Sequence, residues 1–155
     1  MQIDIRTVLC PVDFSECSNH ALEYAKAFAQ THQARLILVH VIPPSVYAAP
    51  ADPFLSDLST QYEQQLRESA EKQLHTLTLE IEKQGLRVSA ETLNGPAYLQ
   101  IAEAAKREES DLIVMGTHGL TGIKHALMGS VAEKVVRMAP CPVLTVKHPE
   151  HDFVS

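Results

Sequence analysis

Short apolar runs and amphipathic stretches alternate along the chain. Thr7 to Val12, Leu36 to Val41 and Leu112 to Met115 are apolar nearly throughout, as expected of strands covered on both faces. After the first run, Ala21, Ala25, Phe28 and Ala29 recur at helical spacing with Leu22 beside them, and either Ser15 or Ser18 stands where that helix needs its N-cap. A long polar helix follows the second run. Its expected buried stripe is Tyr62, Leu66, Ala70, Leu74, Leu77 and Ile81, and Gly85 is its expected left-handed stop after Gln84. From Leu86 the pattern changes: Leu86, Val88, Ala90 and Thr92 alternate with Arg87, Ser89 and Glu91, which predicts a less covered strand near a sheet edge. Asn94-Gly95-Pro96 then predicts a turn into a helix whose apolar face is Tyr98, Ile101, Ala102 and Ala105. A glycine-rich stretch from Gly116 to Gly129 leads to a last helix with Ala132, Val135, Val136 and Ala139 as its expected buried face. Val143 to Val146, between Pro142 and Pro149, closes the pattern as a short strand.

Repeated strand–helix units predict an α/β fold: an open five-stranded parallel sheet with helices on both faces, Rossmann-like. The three fully apolar strands belong in the middle and the alternating one at an edge, so right-handed crossovers give the order 3-2-1-4-5. We expect residues 1–155 to form a single domain, large enough to bury roughly 70% of the surface its unfolded chain exposes. Pro43, Pro44, Pro50 and Pro53 exclude a helix or central strand between Ile42 and Ser56, which reads as a long exposed loop, a candidate lid. Residues 150–155 read as a loose tail. Sheets of this kind hold ligands where the strand order reverses, outside the carboxyl ends of the strands. The two loops at that reversal begin at Asp13 and Gly116.

Charge narrows the partners. Thirteen basic against nineteen acidic residues give a net charge of −6, which speaks against a nucleic-acid partner. No apolar run reaches the length of a membrane span, and the residues from Met1 to Arg6 lack a signal-peptide core, so the expectation is a cytoplasmic protein without membrane association. Three cysteines, Cys10, Cys17 and Cys141, without Cys-x-x-Cys spacing, read as reduced thiols. The eight histidines offer no metal-ligand spacing: His118 and His125 are seven apart, and His148 and His151 sit in a polar tail. His40, inside a strand, reads as a hydrogen-bonded core residue.

The chemistry concentrates in Gly116-Thr117-His118-Gly119, which follows a buried strand, and in Gly129-Ser130, nine residues later at a helix start. Glycine lets main chain approach a phosphate closely, and the free amides of Gly129, Ser130 and Val131 at a helix N-terminus would attract an anion. Neither a Gly-x-x-x-x-Gly-Lys-Ser/Thr loop nor a Gly-x-Gly-x-x-Gly turn after the first strand is present, which places the phosphate site after the fourth strand. Asp13 has two readings at this level, a cap for the first helix or its turn and a direct ligand contact. Val41 and Met115 read as core side chains whose backbone or edge could also meet a ligand.

This Gly-x-x-Gly, nine residues, Gly-Ser arrangement resembles the nucleotide motif of the ATP-binding universal stress proteins. The resemblance extends from about Thr7 to Lys147 and includes Val8-Leu9-Cys10-Pro11-Val12-Asp13, Leu36-Ile37-Leu38-Val39-His40-Val41 and the block from Asp111 to Gly119. It implies that Pro11, Val12 and Asp13 lie along the adenosine and that the Val41 backbone meets the adenine edge. It further implies Met115 and Gly116 near base and ribose, and Gly119, Gly129, Ser130 and Val131 around the phosphates, with His118, Lys124 and His125 in the loop. ATP, or ADP or AMP, is the implied ligand, with Mg²⁺ or Mn²⁺, and a homodimer through the last strand is the implied assembly. The function so implied is a nucleotide-dependent regulatory module in stress response. Two alternatives stand beside it: a slow ATPase or autophosphorylating enzyme, for which no base or arginine finger can be named, and a dimeric interaction domain without nucleotide.

Overall fold

The computed structural model describes residues 1, 3–44, 52–119 and 128–148. In chain order these form β1 (Thr7–Pro11), α1 (Glu16–His32), β2 (Arg35–Ile42), α2 (Pro53–Lys83), β3 (Val88–Asn94), α3 (Ala97–Arg107), β4 (Leu112–Gly116), α4 (Ser130–Met138) and β5 (Val143–Val146). All strand pairs are parallel, and the sheet order is β3-β2-β1-β4-β5. This is the order expected from the hydrophobic pattern.

Because side chains alternate across a strand, the apolar runs supply two cores at once. Val8, Cys10, Leu36, Leu38 and Val114 face α1 and the C-terminal half of α2. Leu9, Ile37, Val39, Ile113 and Met115 face α3 and α4. Val8, Leu9, Leu36, Leu38, Val39, Ile113 and Val114 are fully enclosed, each contributing about 1.5–3 kcal/mol by leaving water. At the opposite end from the candidate site, Asp111 Oδ2 accepts the amides of Arg6 at 2.8 Å and Thr7 at 2.9 Å, tying β4's entry to β1's.

Several local expectations shift. β1 ends at Pro11, one residue before the expected end. The expected loop from Ile42 to Ser56 is shorter: β2 runs through Ile42, and α2 begins at Pro53 with Asp52 as N-cap, its Oδ1 accepting the Phe54 amide at 2.9 Å. Residues 45–51, the heart of the candidate lid, lie outside the described residues, as do 120–127 and the tail from 149. Gly85 does adopt positive φ, +82°, as the expected helix stop, but β3 begins at Val88 and Leu86 packs on the core from outside the strand.

The largest correction concerns α2. Ala70, Leu74 and Ile81 are buried and Leu77 partly so, but Tyr62 and Leu66 are 63% and 39% exposed. Residues four apart advance about 400° around a helix, so a stripe spaced by four drifts by about 40° per step. From Leu74 back to Tyr62 the drift carries the stripe off the sheet. Val136 is likewise exposed on α4, whose buried residues are Ala132 and Val135.

Candidate functional site

At the sheet reversal the chain leaves β1 through a tightly constrained turn. Phe14 has φ +65°, a left-handed conformation that costs a non-glycine residue about 1 kcal/mol or more and turns the chain away from the sheet. Around it, the Asp13 amide donates to Ser18 Oγ at 3.1 Å, and Asp13 Oδ1 accepts the Ser15 amide at 3.0 Å. Ser15, rather than Ser18, is the N-cap of α1: its Oγ accepts the Ser18 amide at 3.2 Å. Asp13 is therefore the organiser of the turn and not the helix cap. Its second carboxylate oxygen points toward Gly119.

That contact explains the glycine. A Cβ on residue 119 would lie 2.6 Å from Asp13 Oδ2, and a Cβ on Gly116 would lie 2.8 Å from Cys17 Sγ and 3.2 Å from Cys17 main chain. The Asp13 turn and the start of α1 thus approach the end of β4 and the loop after it so closely that a side chain at either glycine would force a shift. Gly129 completes the set: its amide donates to the Thr117 carbonyl at 2.7 Å, and a Cβ there would lie 2.9 Å from the same oxygen. This N–H is already committed. Gly129 therefore acts by its lack of a side chain, while Ser130 and Val131, first in α4, carry amides that no side chain caps among the described residues.

Thr117 is a residue that the sequence pattern did not single out. It is buried, its amide donates to Val146 O on β5 at 2.9 Å, and its Oγ1 lies 3.0 Å from His118 Nδ1. Nothing in the Gly-x-x-Gly pattern indicates that the carbonyl between the glycines reaches the start of α4. His118 is half-buried beside it.

On the other side of the crevice, main-chain direction alternates along β2. Val39 O accepts the Val12 amide at 2.8 Å and Ile42 O accepts the Gly95 amide at 3.1 Å, so odd-numbered residues address β1 and even-numbered ones address β3. Val41 consequently points its N–H and C=O to the β1 side, beyond the last residue of β1. The Met115 side chain is buried in the α3 and α4 core. Pro11, Val12, Asp13, Val41, Met115, Gly116, His118, Gly119, Gly129, Ser130 and Val131 all stand at the carboxyl ends of β1, β2 and β4 or at the start of α4. Lys124 and His125 fall outside the described residues.

Among the described residues no group of three His, Cys, Asp or Glu could hold a metal ion. Cys10 and Cys17 are buried and Cys141 is half-buried, all as free thiols. Burial pushes the Cys10 thiol up to about 12 and, with the charge of Asp111 adding, raises that of Cys141. Neither is a thiolate at neutral pH. Among the described residues, no helix is long and apolar enough to cross a membrane.

Residues 4–147 match the sequence profile of the Universal stress protein family. The chain belongs to the universal stress protein family. Its similarity to universal stress protein MJ0531 of Methanocaldococcus jannaschii is 33% identity, covering 95% of this chain and 85% of that protein. The universal stress protein UspA from Lactobacillus plantarum superposes with a TM-score of 0.82 at 30% identity, over 94% of this chain and 99% of the other. A universal stress protein crystallised in complex with cAMP superposes with a TM-score of 0.61 at 25% identity, over 94% and 99% of the two chains. The five-stranded parallel architecture with order 3-2-1-4-5 is thus the universal stress protein fold.

Proposed function

We propose that this universal stress protein binds an adenine nucleotide, ATP or its di- or monophosphate, at the sheet reversal and serves as a nucleotide-dependent regulatory module in stress response. The observation that carries this reading is the cradle formed where three elements meet. Gly116, Gly119 and Gly129 each sit where a Cβ would collide with neighbouring protein atoms, so at all three the main chain is kept bare beside the start of α4, where it would be open to a close-packed phosphate. The open main chain of Val41 faces the same crevice from β2 and would meet the base edge. Pro11, Val12 and Asp13 would follow the adenosine, with Met115 and Gly116 closing around base and ribose. Gly119 and His118 would border the phosphates, and the Ser130 and Val131 amides would donate to them. Hydrogen bonds to a charged group contribute about 1.5–3 kcal/mol each and the helix dipole about 0.3–1 kcal/mol, so the aligned amides dominate. A universal stress protein of the same fold in complex with cAMP supports an adenine ligand.

With no three-residue metal cluster among the described residues, Mg²⁺ or Mn²⁺ would arrive bound to the phosphates and water rather than to a protein cage. Its chemistry would be charge neutralisation of the polyphosphate. Isothermal titration of ATP with Mg²⁺ into purified protein tests the reading: micromolar or tighter binding is expected, and Gly129→Val should abolish it. Binding undiminished in that variant refutes the phosphate assignment.

A dimer through β5 belongs to the same proposal. β5 is an edge strand of four residues, and Val136 and Met138 on the neighbouring α4 are exposed. Sedimentation equilibrium at low micromolar concentration should give a mass of at least two chains.

A further inference from the structure

The ladder between β1 and β2 stops one hydrogen bond early, and a side chain stands at the break. In a parallel pair, the Val12 amide bond to Val39 O should be followed by a bond from the Val41 amide to Val12 O. The first of these is present at 2.8 Å; the second is absent, and β1–β2 pairing ends at Pro11 with Val39. In its place His40 Nδ1 lies 2.8 Å from Val12 O. A carbonyl oxygen only accepts, so Nδ1 carries the hydrogen and donates whether or not the ring is protonated. The imidazole is held over this position by stacking on Phe14, with ring centroids 4.9 Å apart and planes 29° from parallel. Phe14 in turn is the residue with φ +65° that turns the chain out of the sheet. Among the described residues, the Val41 amide makes no hydrogen bond on its β1 side.

We infer that His40 is a positioning residue that takes the Val12 carbonyl out of the sheet ladder and so leaves the Val41 N–H free to donate to the ligand. This rests on the nucleotide reading above and adds the origin of base selectivity to it. An N–H and a C=O of one residue, side by side and facing a crevice, match the ring-nitrogen acceptor and amino donor of adenine. Guanine offers the reverse, a ring N–H donor and a carbonyl acceptor. Were His40 unable to donate, Val12 O would recapture the Val41 amide, and only the acceptor half of the pair would remain for the base.

Two variants separate the hydrogen bond from the packing. His40→Phe keeps a ring against Phe14 but cannot donate; His40→Asn places an amide N–H where Nδ1 sits. Amide exchange at Val41, followed by NMR on the nucleotide-free protein, should be fast in wild type and in His40→Asn and at least tenfold slower in His40→Phe. By calorimetry, His40→Phe should weaken ATP at least tenfold while leaving GTP nearly unchanged, lowering the ATP-to-GTP selectivity by the same factor, and His40→Asn should restore both. A Val41 amide as protected in wild type as its β2 neighbours overturns the inference, as does unchanged selectivity in His40→Phe. Wild type that binds no adenine nucleotide would refute the proposed function, and the exchange experiment would still decide whether His40 opens the ladder.

Discussion

Asp13 Oδ2 occupies the position that a side chain on residue 119 would need, 2.6 Å from an ideal Cβ there. The carboxylate cannot retreat freely, because Oδ1 is engaged by the Ser15 amide at 3.0 Å and the Asp13 amide by Ser18 Oγ at 3.1 Å. Gly119→Ala must therefore displace either the loop or the turn at the crevice proposed for the nucleotide. Since Gly119 is exposed and outside the helices and strands, the melting temperature should change by no more than a few degrees, while ATP affinity drops tenfold or more by calorimetry. Equal affinity in the two proteins would count against a ligand between these loops.

The drift of the apolar stripe on α2 has a direct stability signature. Leu74 is buried against the sheet, whereas Leu66, two turns earlier, is 39% exposed. Urea unfolding should show Leu74→Ala costing about 2–5 kcal/mol and Leu66→Ala no more than about 1 kcal/mol. Comparable losses would mean that the whole stripe is covered in solution.

Capping of α1 by Ser15 can be measured the same way. Its Oγ accepts the Ser18 amide at 3.2 Å, and loss of such a cap costs about 0.5–2 kcal/mol. Ser15→Ala should lower stability by that amount, and Ser15→Asp should retain most of it. A neutral Ser15→Ala would show that the turn is held by Asp13 alone.

Alkaline pH should expose the burial of Cys10. Its thiol pKa is raised from 9.0 to about 12 in the folded chain by desolvation. The unfolded chain releases this proton first, so the group's contribution is intact below pH 9 and is lost as pH rises toward 12. Within that window stability should fall by up to about 1.4 kcal/mol per pH unit from this group. Cys10→Ala, whatever its stability at neutral pH, should show a shallower alkaline decline in urea titrations at several pH values.

How far such properties can be read from residue order varies along the chain. The central strands were legible because being covered on both faces demands uninterrupted apolar residues, and β3 was legible as an edge because its outer face alternates with polar side chains. Gly85 marked the end of α2 because its φ of +82° is one that other residues rarely adopt. Tyr62 and Leu66 misled because a spacing of four is compatible with one helical face over two turns but not over five. At the site, the glycines stood out by type and spacing. The commitment of the Gly129 amide to Thr117 O did not, since it joins two segments twelve residues apart.

From the order of its residues alone, this protein's parallel sheet, its strand order and the glycine-lined end of that sheet follow, because burial, periodicity and backbone freedom are properties of residue type at short range. Which main-chain groups there are spent and which are open was decided only in three dimensions. His40 reaching Val12 O, Asp13 facing Gly119 and Gly129 bonding Thr117 are pairings between separate segments, and hydrogen-bond geometry depends on ångström-scale placement that no local pattern encodes.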